Sequence, residues 1–172
     1  MEFIEIKDLN KAEKVRDIYE TSFPPEEKVD FYSLFDGVFK NFKMFSVKDN
    51  NNIVAMFHFI KTKEFIHLNY LAVEEKFRGK SYGSSIINWL KKEYNHMPIV
   101  VDVEELQSSA KNSLQRIKRK KFYLKNGFTD GEYVFDWEGT FMTYLHYGKI
   151  NSNNFMKYIQ QIFPTIINVR KK

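Results

Sequence analysis

The stretch "YLAVEEKFRGKSYGSSIINWL", residues 70–90, decides the reading of this chain. An apolar run ends at Val73, a charged patch follows, and Arg78-Gly79 and Gly83 then stand at the mouth of an amphipathic segment. This is the signature of a strand handing over to a helix. A helix start leaves about four backbone amides unpaired and carries roughly half a positive charge. Glycine there lets an anion approach the amides without meeting a β-carbon, and Arg78 and Lys80 add full charges. A P-loop would need lysine and serine or threonine directly after its last glycine, whereas Ser84-Ser85 follow Gly83. The dinucleotide fingerprint needs three glycines on an early strand of a doubly wound sheet, and this stretch lacks them.

Working outward, the pattern gives an ordered set of elements. Residues 3–9 alternate as a first strand, and Asn10 is placed to cap a helix over 11–22 with Ala12, Val15, Ile18 and Tyr19 on one side. Pro24-Pro25 ends that helix. A second helix is expected from Glu26 to about Phe39, with unevenly recurring apolar positions. A hairpin follows, its strands at 41–48 and 53–61 joined by the turn "DNNN", residues 49–52. Residues 65–73 form the strand that leads into the opening stretch. The helix over 81–94 is expected to bury Tyr82, Ile86, Leu90 and Tyr94. Residues 99–103, "IVVDV", read as a strand buried on both faces. A polar stretch then leads to a helix ending in "KFYLKNGF", where Gly127 is a left-handed stop and Phe128 packs back on Phe122 or Tyr123. Strands at 132–137 and 140–147 turn at Glu138-Gly139. A terminal amphipathic helix spans about 152–163, and the tail "RKK" is expected to fray.

The order predicts an α/β chain (an α+β mixed sheet): antiparallel N-terminal strands leading to a parallel strand-helix-strand crossover, with helices on both faces. Length favours one domain over 1–172, with a core at about 3–147. Apolar residues make up 43% and aromatics 17%, enough for a sizeable core. No apolar run reaches the about 18 residues that span a bilayer, and the N-terminus lacks a secretion-signal layout. These features point to a cytoplasmic protein with no membrane partner. The absence of cysteine excludes disulfides, thiolate metal sites and a cysteine nucleophile. His58 and His67 have no second ligand at a useful spacing, so no metal is expected. A net charge of +5 is too small to choose between a polyanionic small molecule and nucleic acid.

The segment "LAVEEKFRGKSYGSSII" resembles the acetyl-CoA signature of the GCN5-related N-acetyltransferases, the GNAT superfamily: a Leu-Ala-Val-like strand end, then Arg/Gln-x-x-Gly-x-Gly/Ala opening a helix. Arg78, Gly79, Lys80, Ser81, Tyr82 and Gly83 lie on it in register. Ser81 replaces the first signature glycine, which requires a dihedral that serine can adopt, although its hydroxyl could cap the helix. "FYLKNGF", residues 122–128, resembles the family's later tyrosine-containing helix end, and "SFPPEEK" resembles a version from a bacterial branch.

The resemblance implies acetyl transfer from acetyl-CoA to a primary amine of a small molecule or protein. Leu71, Ala72 and Val73 would line the pantetheine arm. Gly79, Lys80, Ser81, Tyr82, Gly83 and Ser84, with Arg78, would hold the diphosphate. A backbone amide near Tyr70 or Leu71 would face the thioester oxygen, an effect worth about 3–4 kcal/mol elsewhere. The family's matching tyrosine implies Tyr123 as proton donor to the leaving thiolate. Glu104, emerging from the buried strand with Asp102 on the same face, is the candidate base for an amine whose ordinary pKa is about 10.4. Glu26, Glu27 and Tyr70 are expected on the acceptor side. Asn112 is near the family's asparagine in sequence, and Arg116 or Arg119 could reach CoA phosphates.

Two other readings compete. One is a non-catalytic acyl-CoA-binding regulatory module of the same fold. The other is a nucleic-acid binder using "RIKRKK", residues 116–121, with neighbouring aromatics. The aromatics stand beside a helix cap rather than across a strand face, which argues against nucleic acid. The aromatic-rich hairpin and the terminal helix offer a surface for a homodimer.

Overall fold

The computed structural model describes residues 1–35 and 41–172, the Glu26 side chain excepted. The described residues form eight strands and four α-helices, a mixed α/β chain. They divide into two compact units, Met1–Asn95 and His96–Lys172.

The first unit holds β1 (Glu2–Glu5), α1 (Glu13–Ser22), β2 (Phe42–Asp49), β3 (Asn52–Lys61), β4 (Ile66–Val73) and α2 (Tyr82–Glu93). Its strands run β1-β2-β3-β4, each pair antiparallel. Both faces are covered, which explains the unbroken apolar run of β3. Phe57 and Phe59 turn towards α2, where Trp89 lies 5.6 Å from Phe57 and 4.9 Å from Phe3. His58 turns the other way, stacked on Phe42 at 5.7 Å and tilted against Tyr70 at 6.1 Å. Tyr19 of α1 meets the edge of Tyr70 at 4.9 Å. At the β2–β3 turn, Asn50 and Asn51 take φ of 44° and 64°, the mirror-image turn that asparagine tolerates.

Two N-terminal expectations are corrected. Asn10 does not cap the helix: it lies inside a short 3₁₀ turn, Leu9–Lys11, that Asp8 caps by accepting from the Asn10 amide at 3.0 Å, and α1 itself starts after Ala12 with no side-chain cap. The helix expected from Glu26 is instead two 3₁₀ turns, Pro25–Glu27 and Tyr32–Leu34, separated by extended backbone at Lys28. Aspartate wins here: the Asp30 side chain accepts from the amides of Tyr32 and Ser33 and starts the second turn. Positions 36–40 of that expected helix lie outside the described residues.

The second unit holds β5 (Ile99–Glu104), α3 (Ser113–Lys125), β6 (Thr129–Trp137), β7 (Thr140–Tyr147), α4 (Ser152–Ile162) and β8 (Ile166–Lys171). Its strands run β5-β7-β6-β8, all antiparallel. Asn151 caps α4 by accepting from the Asn154 amide at 3.1 Å. Phe155 of α4 packs 4.7 Å from Tyr144 of β7, and both are fully buried. The Tyr144 ring lies where a Cβ on Gly131 would stand, 2.2 Å from that position, and its hydroxyl accepts from the Glu132 amide. The tail does not fray. It forms β8, paired from Trp137↔Ile166 to Tyr133↔Lys171 along β6.

Candidate active site

In the first unit, β4 ends at Val73 and a short 3₁₀ turn, Glu75–Phe77, swings the chain to Arg78. Gly79 takes φ 78° and Ser81 takes φ 64°, so two left-handed residues bend the backbone into α2. A Cβ at Gly79 would meet no heavy atom within 4 Å. Glycine is therefore needed for its dihedral, and the space beside it is open. The turn's internal bonds end with Arg78 N to Glu75 O, and the helix ladder begins with Ser85 N to Ser81 O at 3.0 Å. Between them, the amides of residues 79–84 donate to no backbone carbonyl among the described residues. This arc, open at Gly79, fits a diphosphate.

The side chains around the arc do not all stand as expected. Arg78 folds back, its Nε donating to the Val73 carbonyl at 3.1 Å. Lys80 lies over Phe77, with Nζ 5.5 Å from the ring centre. The Ser81 hydroxyl, which could have capped the helix, makes no cap bond, and its left-handed φ departs from the extended backbone usual for a side-chain cap. Tyr82 is half-buried rather than core, and its hydroxyl donates to Asp49 at 2.7 Å, fastening the start of α2 to the β2–β3 turn. Tyr94 also stays half-buried; Gly83 and Ile87 join Ile86 and Leu90 in the interior. Leu71, Ala72 and Val73 stand in β4 opposite Phe57, Met56 and Ala55 of β3.

One feature of β4 had no local signal. His58 faces Tyr70 while Phe59 faces Leu68, leaving Asn69 as an extra residue in a bulge. The Asn69 side-chain oxygen is buried there and meets no hydrogen-bond partner among the described residues. Next to it, Tyr70 is tied to the loop after α1, its hydroxyl donating to the Glu27 carbonyl at 3.3 Å. Burial pushes the Tyr70 phenol up. Phe23 lies 5.0 Å from the Tyr70 ring. The structure thus brings Tyr70 and the Glu27 backbone together; the Glu26 side chain lies outside the described set.

In the second unit the sequence "KNGF" sets the position of Tyr123. The Phe128 amide bonds to the Tyr123 carbonyl at 3.1 Å and the Gly127 amide to Leu124 at 2.9 Å, with Gly127 at φ 78°. This is a Schellman stop, and its accompanying apolar contact is Phe128 on the Tyr123 ring at 5.3 Å. Tyr123 is buried, and its phenol is pushed up to about 12 by that burial, with Arg119 opposing the rise and Asp102 adding to it. At neutral pH the group therefore holds its proton.

Glu104 lies at the end of β5, only 7% exposed. Its Oε1 accepts from Asn112 Nδ2 at 2.8 Å and lies 3.0 Å from Arg116 Nη2. Its Oε2 accepts from Arg119 Nη1 at 2.7 Å. Arg116 also donates through Nε to Asn112 Oδ1 at 2.7 Å and through Nη1 to the Glu105 carbonyl at 3.0 Å. Arg116 and Arg119, expected to reach phosphates, are engaged by a carboxylate of their own unit. Both oxygens of the Glu104 carboxylate are thus taken up by charge-assisted bonds within its own unit. Asn112 serves as the bridge. Among the described residues no three of His, Cys, Asp and Glu cluster to hold a metal, and no helix is long and apolar enough to cross a membrane.

Comparison with known proteins bears on the family and the fold. Residues 40–130 match the family model described as the acetyltransferase (GNAT) domain, and the chain belongs to that family. Among solved structures, it is similar to a GNAT-family acetyltransferase from Bacteroides thetaiotaomicron, at 22% identity over 94% of each chain with a TM-score of 0.73. It is also similar to an aminoglycoside 6'-N-acetyltransferase from Enterococcus faecium, at 15% identity over 88% of this chain and 100% of that one, TM-score 0.65. A Bacillus subtilis acetyltransferase in complex with CoA matches at 13% identity over 86% of this chain and 98% of that one, TM-score 0.61. At these identities the likeness is one of fold. No curated protein sequence matches the chain.

Proposed function

We propose that this chain is an N-acetyltransferase that moves an acetyl group from acetyl-CoA to a primary amine of a small molecule or protein. The observation that carries the reading is the arc of free amides over residues 79–84, opened by Gly79 at a left-handed φ, in a chain of the GNAT family. Acetyl-CoA supplies the activated thioester. In the first unit, the amide arc and the positive end of α2 bind the donor's diphosphate, with Lys80 beside it, and residues 71–73 line its arm. The backbone at the Asn69 bulge offers amides to the thioester oxygen. Tyr70, Phe23 and Glu27 stand on the acceptor side, where a half-buried acid beside aromatic faces suits a cation. In the second unit, Tyr123 keeps its proton until the thiolate leaves and then gives it up.

A second reading keeps the cradle without the chemistry, as an acyl-CoA-binding regulatory module. Two observations favour it: Ser81 occupies a dihedral that costs serine more than glycine, and the Glu104 carboxylate is already engaged. Calorimetry with CoA and acetyl-CoA, followed by thiol release over a panel of polyamines, aminoglycosides, amino acids and peptides, separates the two. Heat with thiol release supports the transferase. Heat without release across the panel supports the module, and no heat from either ligand refutes both.

A further inference from the structure

The Glu104 cluster has one member with a second neighbour of chemical interest. Arg119 and Tyr123 are one turn apart on α3, so both project from the side of the helix that packs on β5. Arg116 is committed to Asn112 and the Glu105 carbonyl as well as to Glu104, so it stays in place whatever Arg119 does. Arg119 has its Nη1 against Glu104 Oε2 at 2.7 Å. Two charged groups thus bear on the Tyr123 hydroxyl from the two packed elements: Arg119 from α3 and Asp102 from β5. Asp102 also acts on the half-buried Tyr158 of α4, adding to the rise that desolvation imposes there.

We infer that Glu104 is a positioning residue, a fixed counter-charge that holds the Arg119 guanidinium beside the Tyr123 hydroxyl, and not the group that takes a proton from the substrate. The inference rests on Tyr123 as the proton donor of the proposed reaction. A long cationic side chain tethered at its tip loses the freedom to swing into water, and its field on the phenol stays constant through turnover. That field opposes the rise that burial and Asp102 impose on Tyr123. Without it the phenol would be a weaker acid and a slower donor to a departing thiolate.

The test uses the full chain with ring-fluorinated tyrosine at position 123, which brings the phenol's titration into a range that a folded protein tolerates. Fluorine NMR then reads the titration with no acyl donor present. Glu104→Gln keeps the shape and the Asn112 contact but removes the charge, and Arg119 is expected to leave. The titration midpoint should rise by roughly 0.5–1 pH unit, the size expected for losing one nearby cation. Glu104→Asp, which keeps the charge, should recover part of that rise. An unmoved midpoint in folded Glu104→Gln overturns the inference.

Should Glu104→Gln fail to fold, Arg119→Gln leaves the Glu104–Arg116–Asn112 core intact and must raise the midpoint by a similar amount; no rise there overturns the inference equally. Thiol release gives an independent readout. A positioning role predicts that Glu104→Gln keeps the acid limb of the kcat profile and loses roughly tenfold in rate, whereas removing a general base costs about 10²–10⁴-fold and abolishes that limb. If the chain transfers no acetyl group, the phenol titration still decides the geometry, so the two readings fail separately.

Discussion

The stability of the first unit should fall in mild acid because of one buried imidazole. His58 is fully buried on β3, and its pKa is lowered to about 3 by desolvation and then by the neighbouring His67. Unfolded, the ring takes up its proton near pH 6.5; folded, it resists until about pH 3. Acid therefore favours the unfolded chain, and the stability present above pH 6.5 is lost progressively as pH falls towards 3. At about 1.4 kcal/mol per pH unit, the loss is roughly 2 kcal/mol by pH 5. The assay is urea unfolding at pH 8 and pH 5, followed by Trp89 fluorescence in a Trp137→Phe background. With an m value of about 2 kcal/mol/M, the midpoint should drop by roughly 1 M more in the His58 protein than in His58→Leu, whose side chain cannot titrate. Equal acid losses in the two proteins would refute the argument, because the buried ring would then not be the group that resists protonation.

Substitution of Ser81 by glycine should gain up to about 1 kcal/mol in urea unfolding, since it relieves a left-handed serine and gives part of that back as unfolded-chain entropy; a loss of stability would contradict the φ of 64°. Gly131→Ala pushes a methyl into the Tyr144 ring, which has no room to retreat, and should cost about 1–3 kcal/mol with Tm several degrees lower; an unchanged Tm would mean that β6 and β7 pack otherwise. Tyr123→Phe should cut thiol release by about 10²–10⁴-fold while calorimetry shows CoA binding nearly unchanged, and full activity in that variant removes Tyr123 from the chemistry.

Those elements were legible whose cause lies within a few residues. Asparagines at 50 and 51 made a turn because their side chains tolerate positive φ, and "KNGF" made a helix stop that placed Tyr123. Apolar spacing found α1 and α4, whose buried faces are Val15, Ile18 and Tyr19 and Phe155, Met156 and Ile159. The expected helix from Glu26 failed where one local rule outweighed another: proline and the Asp30 side-chain bonds made tight turns out of a segment with only a ragged apolar period.

The sequence by itself therefore determined the family, the strand-to-helix loop with its left-handed glycine and the tyrosine at the end of α3. Tertiary structure alone decided that Glu104 meets Asn112, Arg116 and Arg119, that Arg78 turns back on Val73, that Asn69 bulges out of β4, and that the last residues form β8 against β6. The reason is physical. Turns and caps are closed by bonds between near neighbours, so residue type announces them. Ion-pair partners and strand register are chosen by which distant segment packing brings alongside, and a carboxylate looks the same in sequence whether it will face water or two guanidiniums.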